Sequence, residues 1–110
     1  MQDRSLPRLT HLQFLVLGIL LSGEQSGRVI RQAIEEYGIH RSAPAFYQMM
    51  ARLERDGMVE GWYEQVKVGD QAVTERRYRA TAAGTRMWER SYSFYNGIRL
   101  GVTDRRWSNA

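Results

Sequence analysis

The chain has 110 residues, enough for one domain with a real core and too few for two. It contains no cysteine and only His11 and His40 among imidazoles, which excludes a disulfide framework or thiolate metal site and argues against a histidine-built zinc site, so no metal or other cofactor is expected. The formal net charge is +4 and the isoelectric point about 9.8, a balance that suits nucleic acid as a partner but also follows from arginine-rich composition, Lys67 being the only lysine.

In chain order, Met1 to Leu9 is polar and interrupted by Pro7, and reads as an arm or short strand. Thr10 and Gln13 form a capping-box pattern that opens a first helix, apolar nearly all the way round from Leu12 to Leu21 and therefore scaffold, buried in the domain or against another chain. The apolar run from Phe14 to Leu21 is well short of the roughly 20 residues that a membrane span needs, and no signal-peptide layout precedes it; a cytoplasmic location is expected, with no membrane partner. After a polar break over Ser22 to Gln25, Ser26 caps a second helix with Val29, Ile30, Ala33, Ile34 and Tyr37 at apolar spacing, stopped by Gly38. Ser42 caps a third, with Pro44 in its first turn and Phe46, Met49, Met50 and Leu53 as its apolar stripe. Gln48, Ala51, Arg52 and Arg55 lie on the opposite side, and Gly57 ends the helix.

The period then changes. Met58 to Val68 and Val73 to Arg79, joined at Gly69-Asp70, suit two strands of a β-hairpin. Thr81 caps a last helix with Ala82, Ala83, Met87, Trp88, Tyr92, Tyr95 and Ile98 along one side, and no periodicity follows from Val102 onward. The predicted fold is mainly α with a small β-hairpin: a winged helix-turn-helix over residues 1–80, a C-terminal dimerisation helix over 81–101 and a tail over 102–110, in one compact domain.

In such a unit the third helix lies in the DNA major groove, so double-stranded DNA is the expected partner. Ser42, Tyr47 and Gln48 are placed to reach base edges or nearby phosphates, and Arg52, Lys67 and Arg76 to hold the backbone. The plainer alternatives are a solvated helix face for Arg52 and Arg55, half-buried core for Tyr47, and strand-edge charge for Lys67 and Arg76. On the last helix, Met87, Trp88, Tyr92 and Tyr95 are too many large side chains for one small domain to bury, which points to a homodimer interface. Trp88 and Tyr92 are also candidates for a cavity that takes a small aromatic effector.

Residues Leu9 to Gly84 resemble the PadR-like transcriptional regulators, named for control of phenolic-acid decarboxylase. The resemblance is carried by LTHLQFLVLGIL, SGRVIRQAIEE, AFYQMMARLERDGMVE and RRYRATAAG, in that order and spacing. It implies a homodimer built through the last helix, binding to a roughly palindromic operator, repression as the output, and the short-tailed branch with a single C-terminal helix. Ala45 and Ala51 depart from the Thr and Lys common in the family, and Arg77 stands where a second aromatic is frequent. The sequence has no P-loop, dinucleotide-binding glycine pattern or Ser/His constellation, so an enzyme is not expected; the competing reading is a winged-helix module that binds protein.

Overall fold

The computed structural model describes residues 5–102, with side chains as far as Ile98; residues 1–4 of the expected arm and 103–110 of the expected tail lie outside it. The elements are α1 (His11–Leu20), β1 (Gln25–Ser26), α2 (Gly27–Glu35), α3 (Ala43–Arg55), β2 (Val59–Val68), β3 (Gln71–Ala80) and α4 (Ala82–Val102).

Each helix begins where a side chain satisfies its free amides. Thr10 Oγ1 accepts from the Gln13 amide at 3.1 Å and Gln13 Oε1 accepts from the Thr10 amide at 3.0 Å, the complete capping box. Ser26 and Ser42 accept from Val29 and Ala45, and Thr81 accepts from Gly84 at 3.0 Å while donating to the Gly57 carbonyl. Thr81 thus fastens the start of α4 to the end of α3. Gly57 takes a positive φ of 75° there, reversing the chain into β2.

The hairpin pairs in register from Val59 opposite Ala80 to Val68 opposite Gln71, with Gly69 at positive φ in the turn. The sheet has a third strand that the sequence pattern did not announce. Part of the expected polar break is β1, in which Gln25 pairs with Tyr78 and Ser26 with Arg77, giving the order β1-β3-β2. Two residues are too few to display an alternating pattern, and the pairing is made by backbone groups. Buried Ser26 therefore serves two elements, closing the sheet edge and capping α2.

The core joins Val16, Leu17 and Leu20 of α1 to Ile30 and Ile34 of α2, Phe46, Met50 and Leu53 of α3, Val59 of β2 and Tyr78 of β3. Met49 packs at its margin. Tyr37, expected on the apolar side of the second helix, is exposed instead, because α2 ends at Glu35 and Tyr37 falls in the turn beyond. The first helix is scaffold as expected, with Leu12, Phe14, Leu15 and Ile19 half-buried, but Leu21, expected inside it, is exposed because α1 ends at Leu20. The outer wing carries Tyr63, Val68 and Val73 exposed, projecting beyond the core.

Candidate nucleic-acid interface

Burying Phe46, Met50 and Leu53 turns the other side of α3 outward, and Pro44, Ala45, Tyr47, Gln48, Ala51, Arg52 and Arg55 are all exposed. At about 100° per residue, Pro44, Gln48, Ala51 and Arg55 run along the middle of this face. Tyr47 flanks it on the wing side. Ala45 and Arg52 flank it on the other, where with Gln48 they line a groove of about 860 Å³ against Thr10, His40 and Arg41.

Ser42 is exposed at the head of the face; its hydroxyl oxygen accepts from Ala45 at 3.2 Å, which leaves its proton and one lone pair to offer. Tyr47 rests one side of its ring on the chain and leaves the other open. It packs edge-on to Phe46, centroids 5.1 Å apart, and a Cβ built on Gly27 would lie 2.8 Å from its hydroxyl oxygen. Gly27 is what lets the ring settle over the start of α2. The ring is packed on one side, as the half-buried reading of Tyr47 expects, while 37% of the residue stays exposed.

The wing arginines are occupied. The Arg76 guanidinium meets Glu54 of α3 at 2.8 and 3.0 Å, lies 4.7 Å from the Tyr63 ring centroid and borders buried Tyr78. Glu54 Oε1 also accepts from the Gly61 amide at 3.2 Å, so one carboxylate of α3 holds both strands of the wing. Arg77 meets Glu75 at 2.8 Å, Glu64 at 3.1 Å and Glu24 at 3.6 Å, and Arg79 meets Glu60 at 2.8 Å. Among the described residues Lys67 is the wing cation without a carboxylate partner. Burial raises the Tyr78 phenol above its ordinary value, and the neighbouring Arg76 charge only partly opposes this.

Lys67 shares a groove of about 830 Å³ with Tyr47, Arg76 and Arg28. Arg28 was not singled out from the sequence. It stands two residues after the α2 cap, exposed and with no carboxylate partner among the described residues, and its position at a helix start beside α3 is the signal that was available. Glu54 was also passed over, since its partner Arg76 is 22 residues away and local spacing does not reveal it.

On α4, Trp88 is parallel to Phe14 of α1 at 5.1 Å and to Tyr92 at 5.3 Å, and its indole nitrogen packs against Gly18. Trp88 and Met87 are half-buried within their own chain, whereas Tyr92, Tyr95 and Ile98 remain exposed. Of the two residues expected at an effector cavity, Tyr92 lines a groove of about 390 Å³ between α1 and α4 with Leu9, Phe14 and Tyr95; Trp88 is not in its lining. No helix among the described residues is long and apolar enough to cross a membrane.

No protein-family model and no curated protein matches the chain. Solved structures do. A PadR-family transcription regulator from Clostridium difficile superposes with a TM-score of 0.71 at 16% identity, over 84% of this chain and 95% of that one. One from Eggerthella lenta gives 0.63 at 26% identity, over 83% and 77%. PadR of Bacillus subtilis, in complex with operator DNA, gives 0.57 at 24% identity over 73% of this chain and 46% of its own. The resemblance expected from the four sequence blocks is borne out in the fold, and the Clostridium and Eggerthella neighbours are transcriptional regulators rather than enzymes.

Proposed function

We propose that this chain, PadR-like in its winged-helix fold, is a DNA-binding transcriptional regulator that acts as a homodimeric repressor on a palindromic operator. The observation that carries the reading is the outer face of α3, left uncovered by the other described residues while its flanks carry cations, Arg52 on one side and Arg28 with Lys67 on the other. Ser42, Tyr47 and Gln48 stand in the N-terminal part of α3, which enters the groove in helix-turn-helix proteins. Arg28, Arg52 and Lys67 hold phosphates. Arg76, bound to Glu54, supports the wing's position instead of reaching for the backbone. The neighbouring Bacillus structure, solved with operator DNA, supports the same partner.

Tyr92 and Tyr95, exposed on α4, support the homodimer, with Trp88 anchoring that helix to its own chain and Met87 half-buried one residue before it. The α1–α4 groove is the place for a small aromatic effector that releases the operator, held by Tyr92, with Trp88 behind it as a reporter. The protein-binding alternative draws on the apolar Pro44, Ala45 and Ala51 of the same face.

Fluorescence anisotropy with duplexes from the region upstream of its own gene tests the reading. One duplex should bind at a Kd on the order of 10⁻⁸ M, with log affinity falling linearly in log salt. Equal micromolar binding to every duplex, or none, would remove the operator reading and favour a protein partner.

A further inference from the structure

The middle of the α3 face has a chemistry of its own. Pro44, Gln48 and Ala51 follow one another at i, i+4 and i+7, all exposed, so that one amide sits between two small apolar surfaces. No cation lies in this row until Arg55, about 16 Å farther along the axis than Pro44 at 1.5 Å per residue. Arg52 is on the flank, in the groove beside Arg41. The first two turns thus lack the arginine or lysine that makes the commonest contact to guanine O6 and N7. What they present instead suits one kind of base pair. A glutamine amide matches the N6 donor and N7 acceptor of adenine, and a small apolar side chain packs on the 5-methyl of thymine.

We infer that this chain reads an A·T-rich half-site, Gln48 pairing with an adenine while Ala51 and Pro44 close on thymine methyl groups. The inference rests on the DNA-binding reading above and adds what the face selects. A face this flat brings the helix close to the base edges, and the removal of one methyl contact is felt directly. Arg28 and Lys67 on one flank and Arg52 on the other neutralise phosphates on either side of the groove without contributing to base choice.

The test is selection by the full chain from a random duplex library, followed by remaking the selected duplex with deoxyuridine in place of thymidine at single positions. The half-site should be A·T-rich, and loss of the contacted methyl should weaken binding about fourfold, as for one methyl-sized group returned to water. At the thymine under Ala51 that penalty should vanish in Ala51→Gly while persisting at the one under Pro44, and Gln48→Ala should accept any base at the adenine position. Enrichment of a guanine whose recognition depends on Arg52 or Arg55, or indifference to deoxyuridine at every position, would overturn the inference and leave the operator reading standing. If no sequence is enriched at all, both fall together.

Discussion

Gly27 and Gly84 are both buried near the start of a helix, and a methyl group added at each meets a different obstacle. At Gly27 it would lie 2.8 to 2.9 Å from the end of the Tyr47 ring, a side chain free to swing outward. At Gly84 it would run into the Met58 backbone carbonyl, which the Thr81 amide also holds at 3.0 Å. Gly27→Ala should therefore leave stability within about 1 kcal/mol of the parent, because the strain is shed by one rotamer and the unfolded chain loses entropy. Its cost should fall on binding: with Tyr47 displaced, operator affinity should drop roughly tenfold, one charge-assisted hydrogen bond. Gly84→Ala should destabilise by roughly 2–4 kcal/mol, seen as a Tm lower by about 10 °C or more, since the joint between α3 and α4 must open. Equal Tm losses for the two variants would show that Tyr47 is structural and not part of the interface.

At the scale of elements, what was legible in the sequence was what the chain specifies locally. Thr10, Ser26, Ser42 and Thr81 each cap the helix that follows, and the hairpin turns at Gly69-Asp70 because these signals act over three or four residues. β1 was hidden because two residues carry no period, and the Glu54–Arg76 pair because it spans the space between α3 and the wing. That pair changes what Arg76 does. A guanidinium already bound by a carboxylate and laid over Tyr63 gains little from a phosphate, yet it fixes the wing that carries Lys67. Lys67→Gln should flatten the slope of log affinity against log salt by about 0.9 on a single half-site, one phosphate contact, and by about twice that on the full operator. Arg76→Gln should instead weaken binding with little change in slope, and should speed amide exchange at Gly61, whose N–H donates to the same Glu54. A full unit lost from the slope in Arg76→Gln would return Arg76 to the DNA backbone.

The whole molecule is tied together through Tyr78, the one β3 side chain in the core cluster. Folding keeps its phenol neutral and its pKa above the ordinary 10.0, so its contribution to stability is complete below pH 10 and disappears as pH rises through the folded-state value. Tyrosinate absorbance should show a step above pH 10 that coincides with loss of far-UV circular dichroism, and Tyr78→Phe should remove that coincidence.

The proposed homodimer turns on the far end of α4, where every side chain from Tyr92 to Ile98 except half-buried Phe94 is exposed. A helix that leaves its own domain with Tyr92, Tyr95 and Ile98 in water gains by pairing them with a second copy, each such side chain contributing roughly 1.5–3 kcal/mol when fully buried. Truncating Trp88 would confuse the issue, because its ring packs on Phe14 and against the core, and its loss would disturb the monomer. Tyr95→Asp with Ile98→Asp touches only the exposed end. Sedimentation should then report a monomer with unchanged far-UV circular dichroism. Because joining two modules raises affinity by about 10²–10⁴ through effective concentration alone, binding to a two-half-site operator should fall by about 100-fold or more while binding to a single half-site is unchanged. A dimer that survives both aspartates would move the interface away from α4, and a monomer that still binds the full operator at parental affinity would show that the operator is read by one copy.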